Sequence, residues 1–104
     1  MKVLLLNGSP HPDGCIFTSL SEVGGALKRN GVDSEIFWIG NRPVQGCVAC
    51  WKCRETGNGC VFKDKLYTEL VEKLRESDGL VIGAPVYYAG PPGALCAILD
   101  RVFF

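Results

Sequence analysis

The sequence is short of net charge, of long apolar runs and of histidine. Its 11 Lys+Arg balance 11 Asp+Glu, and there is 1 His. With no basic excess and a pI of about 6.5, it lacks the electrostatic footprint of a nucleic-acid binder. No apolar run reaches the ~18 residues of a membrane span, and Val3 to Leu6 is shorter than the roughly 7–15-residue core of an export signal. The expected setting is the cytosol, with no membrane partner. Two phosphate motifs are also missing, the Walker loop G-x-x-x-x-G-K-[ST] and the dinucleotide fingerprint G-x-G-x-x-G. A phospho-acceptor domain would carry carboxylates after its first and third strands, where this chain has Asn7-Gly8 and Gly83-Ala84. There is no internal repeat or low-complexity segment, and 47% hydrophobic against 21% charged residues is the balance of a folded domain.

The apolar residues that are present fall into alternating patterns. Lys2 to Leu6 is a continuous apolar run stopped by Asn7-Gly8-Ser9-Pro10, the signature of a strand buried on both faces. Leu20, Val23 and Leu27 predict a helix over about 17–30, closed by Gly31. The Gly24-Gly25 pair within it is expected to pack against a sheet. Asp33 to Ile39 reads as a second strand, followed by a long loop from Gly40 to about Lys63. Leu66, Tyr67, Leu70, Val71 and Leu74 mark a second helix, Leu80-Val81-Ile82 a third strand, and Leu95, Ile98, Leu99 and Val102 a last helix. This β-α-β-α-β-α order predicts an α/β, flavodoxin-like doubly wound parallel sheet with strand order 2-1-3 and only about three β-α units. A five-strand sheet at about 35 residues per unit would need roughly 175. The expectation is a single domain over 1–104 that forms the N-terminal portion of a longer protein, with strand three as an apolar edge.

Ligands of such sheets sit beyond the carboxyl ends of the strands where strand order reverses, here after strands one and three. The turn from Asn7 to Thr18 is rich in Gly and hydroxyl residues and opens a helix, whose free N–H groups form an anion cradle. Ordinary turn chemistry is the competing reading of that loop. The stretch Ala84 to Gly93 combines Pro and Gly, which let main chain approach a flat ring, with the aromatic walls Tyr87 and Tyr88. Together they describe a phosphorylated aromatic ligand, while the competing reading of each tyrosine is core packing.

Gly8-Ser9-Pro10 with Gly14, and Pro85-Val86-Tyr87-Tyr88 through Asp100-Arg101, resemble the NAD(P)H-dependent FMN reductase family, and the cysteine loop resembles its iron-sulfur flavoprotein relatives. The resemblance implies bound FMN, NAD(P)H as electron donor and a dimer or tetramer. It also implies that Ser9, His11, Gly14, Cys15 and Thr18 lie at the FMN phosphate, and that Pro85, Val86, Tyr87, Tyr88, Ala89 and Gly90 line the ribityl chain and ring. The family often has a Thr where this chain has Ile16, so a phosphate-facing hydroxyl is expected to be missing there. The family's third flavin-contacting loop would follow a fourth strand.

Cys47, Cys50, Cys53 and Cys60 form a C-x2-C-x2-C-x6-C run in which Gly57 and Gly59 let the chain turn back. Such thiolates can converge on a [4Fe-4S] cluster. Unmetallated thiols, zinc and a redox disulfide are the alternatives. The loop follows strand two, so a cluster is expected on the flavin edge. Cys96 reads as core, Asp64 as part of a solvated helix face, and Asp100 and Arg101 as ion-pair formers. The activity so indicated is transfer of electrons from NAD(P)H through FMN to an acceptor, with no separate catalytic side chain. The alternative is an electron carrier or iron-sulfur flavoprotein without direct NAD(P)H turnover.

Overall fold

The computed structural model describes residues Met1–Phe104. Its strands are β1 (Lys2–Asn7), β2 (Asp33–Trp38) and β3 (Gly79–Gly83). Its helices are α1 (Cys15–Arg29), α2 (Lys52–Thr56), α3 (Lys65–Arg75) and α4 (Gly93–Phe103). The sheet has the order β2-β1-β3 and is parallel throughout, as the alternation of strands and helices predicts.

The apolar run of β1 makes it the centre of the sheet because successive side chains point to opposite faces. Leu4 and Leu6 join Tyr67 and Leu70 of α3 and Leu95 and Ile98 of α4 in one cluster. Val3 and Leu5 meet Leu20 of α1 on the other face. Each of these leucines is essentially solvent-free, a burial that contributes roughly 1.5–3 kcal/mol apiece. β3 is an edge strand, with Ile82 41% exposed.

Helix placement follows local chemistry. Asp64 is exposed, as expected, but stands before α3 as its cap, accepting the Tyr67 N–H at 2.9 Å, and not on the helix face. A Cβ on Gly24 would lie 3.3 Å from Leu5 and 3.2 Å from Ser34 Oγ, so this glycine does pack on the sheet. Gly25 has only Arg29 of its own helix near it. The loop after β2 contains one element the periodicity misses, the five-residue helix α2, too short to display a period.

Candidate functional site

The exits of β1 and β3 are held side by side, Gly8 N–H donating to the Gly83 carbonyl at 2.8 Å. Both glycines are needed at this junction. A Cβ on Gly8 would sit 2.7 Å from Leu95, and one on Gly83 would sit 2.8 Å from Ile16.

The turn after β1 is stitched by its own polar groups. Buried Asn7 accepts the Ser9 N–H on Oδ1 at 2.9 Å and donates Nδ2 to the His11 carbonyl at 3.3 Å. Ser9 Oγ accepts the His11 N–H at 3.1 Å, and Trp38 Nε1 donates to the Ser9 carbonyl at 2.8 Å. Trp38 lies opposite Asn7 in the sheet register, a relation that only the fold reveals. The turn ends at Gly14, the N-cap of α1, which offers no side-chain cap and has no acidic residue in the helix's first turn. The leading amides of α1 therefore have no intrahelical or capping partner, which is the donor arrangement an anion requires.

The residues assigned to the phosphate by resemblance divide in this geometry. Gly14 and exposed Cys15 stand at the helix start with exposed His11 beside them, since a Cβ on Gly14 would lie 3.3 Å from the His11 Cβ. Ser9 is buried and its oxygen holds the turn. Thr18 Oγ1 donates back to the Gly14 carbonyl at 3.2 Å. Ile16 packs in the cluster between α1 and the sheet, so the missing hydroxyl is not missing from the mouth of the turn.

After β3, Tyr87 and Gly90 exchange backbone hydrogen bonds at 2.7 and 3.1 Å and close a tight hairpin. Its two central residues, Tyr88 and Ala89, have φ of 45° and 63°, the left-handed pair of a type I′ turn. A bulky residue in that region is unusual and marks a site where surroundings or function override preference. Val86, Tyr87 and Tyr88 are all exposed, which removes the core-packing reading of the tyrosines. Tyr87 shares a groove of about 170 Å³ with Gly8 and Pro10 of the first turn, Gly93 at the start of α4, and Arg42 from the loop after β2. Arg42 is a cation at this groove that sequence pattern alone does not single out. Uncapped amides on one strand exit and an exposed aromatic hairpin on its neighbour suit a phosphorylated, planar ligand such as FMN.

The cysteine loop lies elsewhere. Cys47, Cys50, Cys53 and Cys60 line one pocket together with Arg101 and Phe104. Gly57 and Gly59 turn the chain back with φ of 71° and 78°, as their placement predicts. The pocket sits against the C-terminal half of α4, whereas the tyrosine hairpin precedes that helix's N-terminus. Gly93 and Arg101 are about 12 Å apart along the axis at 1.5 Å per residue, so the thiols and the groove lie toward opposite ends of α4. The loop leaves the carboxyl end of β2, passes α4 where a Cβ on Gly46 would lie 3.6 Å from Ala97, and ends at Asp64, which shares a groove with Trp38, Ile39 and Gly40 at the exit of β2.

The four thiols share this pocket, and no three of the chain's His, Cys, Asp or Glu side chains are drawn together around one point. An all-thiol donor set with no other ligating side chain in the lining suits an iron-sulfur cluster, which spreads its ligand sulfurs wider than one ion does. The cavity between the thiols is about 20 Å³, room for one water. Cys47, Cys50 and the residues between them are exposed, and they are the part that must yield to admit a cluster. Cys96 is partly buried on α4, outside this pocket.

Arg101 is a buried hub at the pocket's base. It pairs with Asp64 at 2.8 Å, as its ion-pair reading predicts, but also reaches Cys60 Sγ at 3.5 Å. Burial works against its charge, and the Cys60 sulfur and Asp64 more than offset that, holding the guanidinium above its ordinary range. Tyr67 accepts the Cys60 N–H on its hydroxyl at 2.9 Å. Neither role has a signal in the sequence, because both contacts join residues brought together only by the fold.

The family model for NADPH-dependent FMN reductases matches residues 1–104. The chain belongs to that family. It is 31% identical over 101 residues to an iron-sulfur flavoprotein of Methanocaldococcus jannaschii, covering 97% of this chain and 51% of the relative. It is 33% identical over 101 residues to an iron-sulfur flavoprotein of Methanosarcina thermophila, covering 97% of this chain and 52% of the relative. This FMN reductase-family chain thus spans about half the length of these relatives. The solved structure of RosB with bound 8-demethyl-8-formylriboflavin-5'-phosphate superposes with a TM-score of 0.70 at 20% identity, over 98% of this chain and 42% of that one. That likeness supports the flavodoxin-like fold. No helix is long and apolar enough to cross a membrane.

Proposed function

We propose that this chain holds FMN in an oxidoreductase that takes electrons from NAD(P)H and passes them to an acceptor. The observation that carries the reading is the pairing of an uncapped helix N-terminus with the exposed Tyr87–Gly90 hairpin across hydrogen-bonded strand exits. The amides of Cys15 and its neighbours would hold the phosphate, with the dipole of α1 behind them. His11 stands at the same rim as a donor for a phosphate oxygen. Main chain from Pro85 to Gly90 would line the ribityl chain and ring, with Tyr87 and Tyr88 shielding it from water. Bound FMN supplies the hydride and single-electron chemistry, and the chain supplies position and electrostatics.

Cys47, Cys50, Cys53 and Cys60 would hold a [4Fe-4S] cluster, a reading supported by the shared pocket and by the names of the archaeal relatives. It also favours the second reading, an iron-sulfur flavoprotein or electron carrier without direct NAD(P)H turnover. The protein would work in a reducing compartment, the cytosol, as a homo-oligomer and without a nucleic-acid or membrane partner.

Calorimetric titration of the whole protein with FMN tests the first claim, with saturable one-to-one heat expected and absence of heat overturning it. Anaerobic spectra with iron and acid-labile sulfide analysis separate flavin alone from flavin plus cluster. Oxidation of NADH or NADPH by the FMN-loaded protein then decides between reductase and carrier.

A further inference from the structure

α4 carries a buried cation whose every nitrogen is engaged. Arg101 is 4% exposed. Its Nη1 donates to the Gln45 carbonyl at 3.1 Å and faces Asp64 Oδ2 at 2.8 Å. Its Nη2 donates to the Phe62 carbonyl, its Nε lies 3.5 Å from Cys60 Sγ, and its Cζ lies 5.0 Å from the centre of the Tyr67 ring. Gln45 stands just before the first cysteine of the loop, and Cys60 and Phe62 stand at its end. One guanidinium therefore closes both ends of the loop onto α4, and only a planar fork of five N–H donors can do so from a single position.

The two sulfurs with donors are treated differently. Cys47 Sγ receives the backbone N–H of Ala49 at 3.3 Å, a neutral donor that any residue there would supply. Cys60 receives a charged one, from a guanidinium that is itself buried. A cluster becomes more negative when reduced, so a fixed cation and an N–H···S hydrogen bond favour its reduced over its oxidised state. The low local dielectric strengthens both.

We infer that Arg101 is the positioning residue of the cysteine loop: it fixes Cys60 as the fourth ligand and raises the reduction potential of the cluster the loop holds. The inference rests on the cluster reading proposed above and adds the residue that governs it. It separates Arg101 from a residue that only packs, since a packing residue would change stability and leave the potential in place.

The test uses the whole protein, reconstituted anaerobically with iron and sulfide, beside Arg101→Gln and Arg101→Lys. Iron and sulfide per chain, FMN content, and the reduced-to-oxidised cluster ratio at a fixed ambient potential are measured. For Arg101→Gln the expected result is unchanged FMN content with either loss of the cluster or a ratio lowered about tenfold, a downward shift of about 59 mV for a one-electron couple. Arg101→Lys keeps the charge but loses the fork. It should retain iron with a ratio lowered a few-fold, and it decides the matter should the glutamine variant not fold. Full iron and an unchanged ratio in a folded variant would overturn the role of Arg101 and leave the cluster reading intact. A wild-type protein that takes up no iron would overturn both, with the FMN titration still standing on its own.

Discussion

The turn after β1 and the cysteine loop after β2 are both Gly-bearing connections without regular structure over most of their length, yet they are ordered in opposite ways. The β1 turn is organised from within, by hydrogen bonds among Asn7, Ser9 and His11 over two to four residues, with Trp38 fastening it from the neighbouring strand. It needs no ligand to take its shape. The cysteine loop is organised from without. Its ends are held by Arg101 and Tyr67, while Cys47, Cys50 and the residues around them stay exposed, with Ala49 and Trp51 at φ of 55° and 64°. A pre-formed cradle suits a ligand recognised by backbone amides, where displacement of a donor is costly. A loop clamped at its ends suits a group whose binding completes local folding.

If the two connections are independent, Asn7→Leu should hurt only the first, and it should have the largest effect. It leaves the Ser9 N–H and His11 carbonyl without their partner next to a solvent-free core, at a cost of about 2–4 kcal/mol from unsatisfied groups. The denaturant midpoint should fall accordingly, and FMN affinity should drop more than about tenfold, 1.4 kcal/mol. Iron per chain should hold. A parallel loss of iron would mean that the loops order one another.

The reverse experiment is Gly59→Ala. A Cβ there would lie 2.5 Å from Tyr67 Oη, at a φ of 78° that side chains rarely adopt, and it would dislodge the hydroxyl that accepts the Cys60 N–H. The expected cost is about 1–3 kcal/mol. Iron content should fall and the FMN dissociation constant should not move. An effect confined to stability would show that the Cys60–Tyr67 bond matters only to the fold.

Trp38→Phe sharpens the contrast at smaller scale. It keeps a ring in the same half-buried position and removes the N–H that holds the Ser9 carbonyl, a loss of about 1 kcal/mol. FMN affinity measured by flavin fluorescence should weaken by about fivefold if the tryptophan fixes the turn, and stay level if the Asn7 bonds suffice.

Much of this contrast was legible from residue order and some was not. The run Val3 to Leu6 announces a central strand because only a strand covered on both faces can use apolar residues at every position. Gly57 and Gly59 announce a reversal for the same kind of local reason. Arg101 was legible as an ion-pair former and Asp64 only as part of a solvated helix face, because the partners of Arg101 lie 37 to 56 residues away in sequence, and no periodicity links an arginine on the last helix to a cysteine in the second loop. The direction of Ile16 likewise depends on how α1 rotates onto β3, which is set by the small volume at Gly83. The exposure of the tyrosines follows from a hairpin turn whose left-handed residues, Tyr88 and Ala89, carry no turn signal.

A last experiment concerns a place that belongs to neither loop. Glu35 on β2 accepts the Lys73 ammonium on Oε2 at 2.7 Å and faces Lys2 at 3.3 Å, and these cations tie β2 to α3 and β1. The Lys73 hydrogen bond holds the Glu35 carboxyl below its ordinary range, against the partial burial that would raise it, and Glu35 in turn holds Lys73 above its own range. A depressed carboxyl stabilises the fold fully above the ordinary carboxylate range and loses that contribution as pH falls through it to the lower folded value. The raised ammonium contributes below its ordinary value and loses that only at strongly alkaline pH. Glu35→Gln should therefore lower the melting temperature at neutral pH and approach wild type below about pH 4. The effect should be the smallest of the four and shrink in added salt, since about a third of each side chain is exposed to water. Neither FMN affinity nor iron content should follow it. A pH-dependent loss of either ligand in this variant would mean that one of the loops draws its order from the ion pairs between β2, β1 and α3.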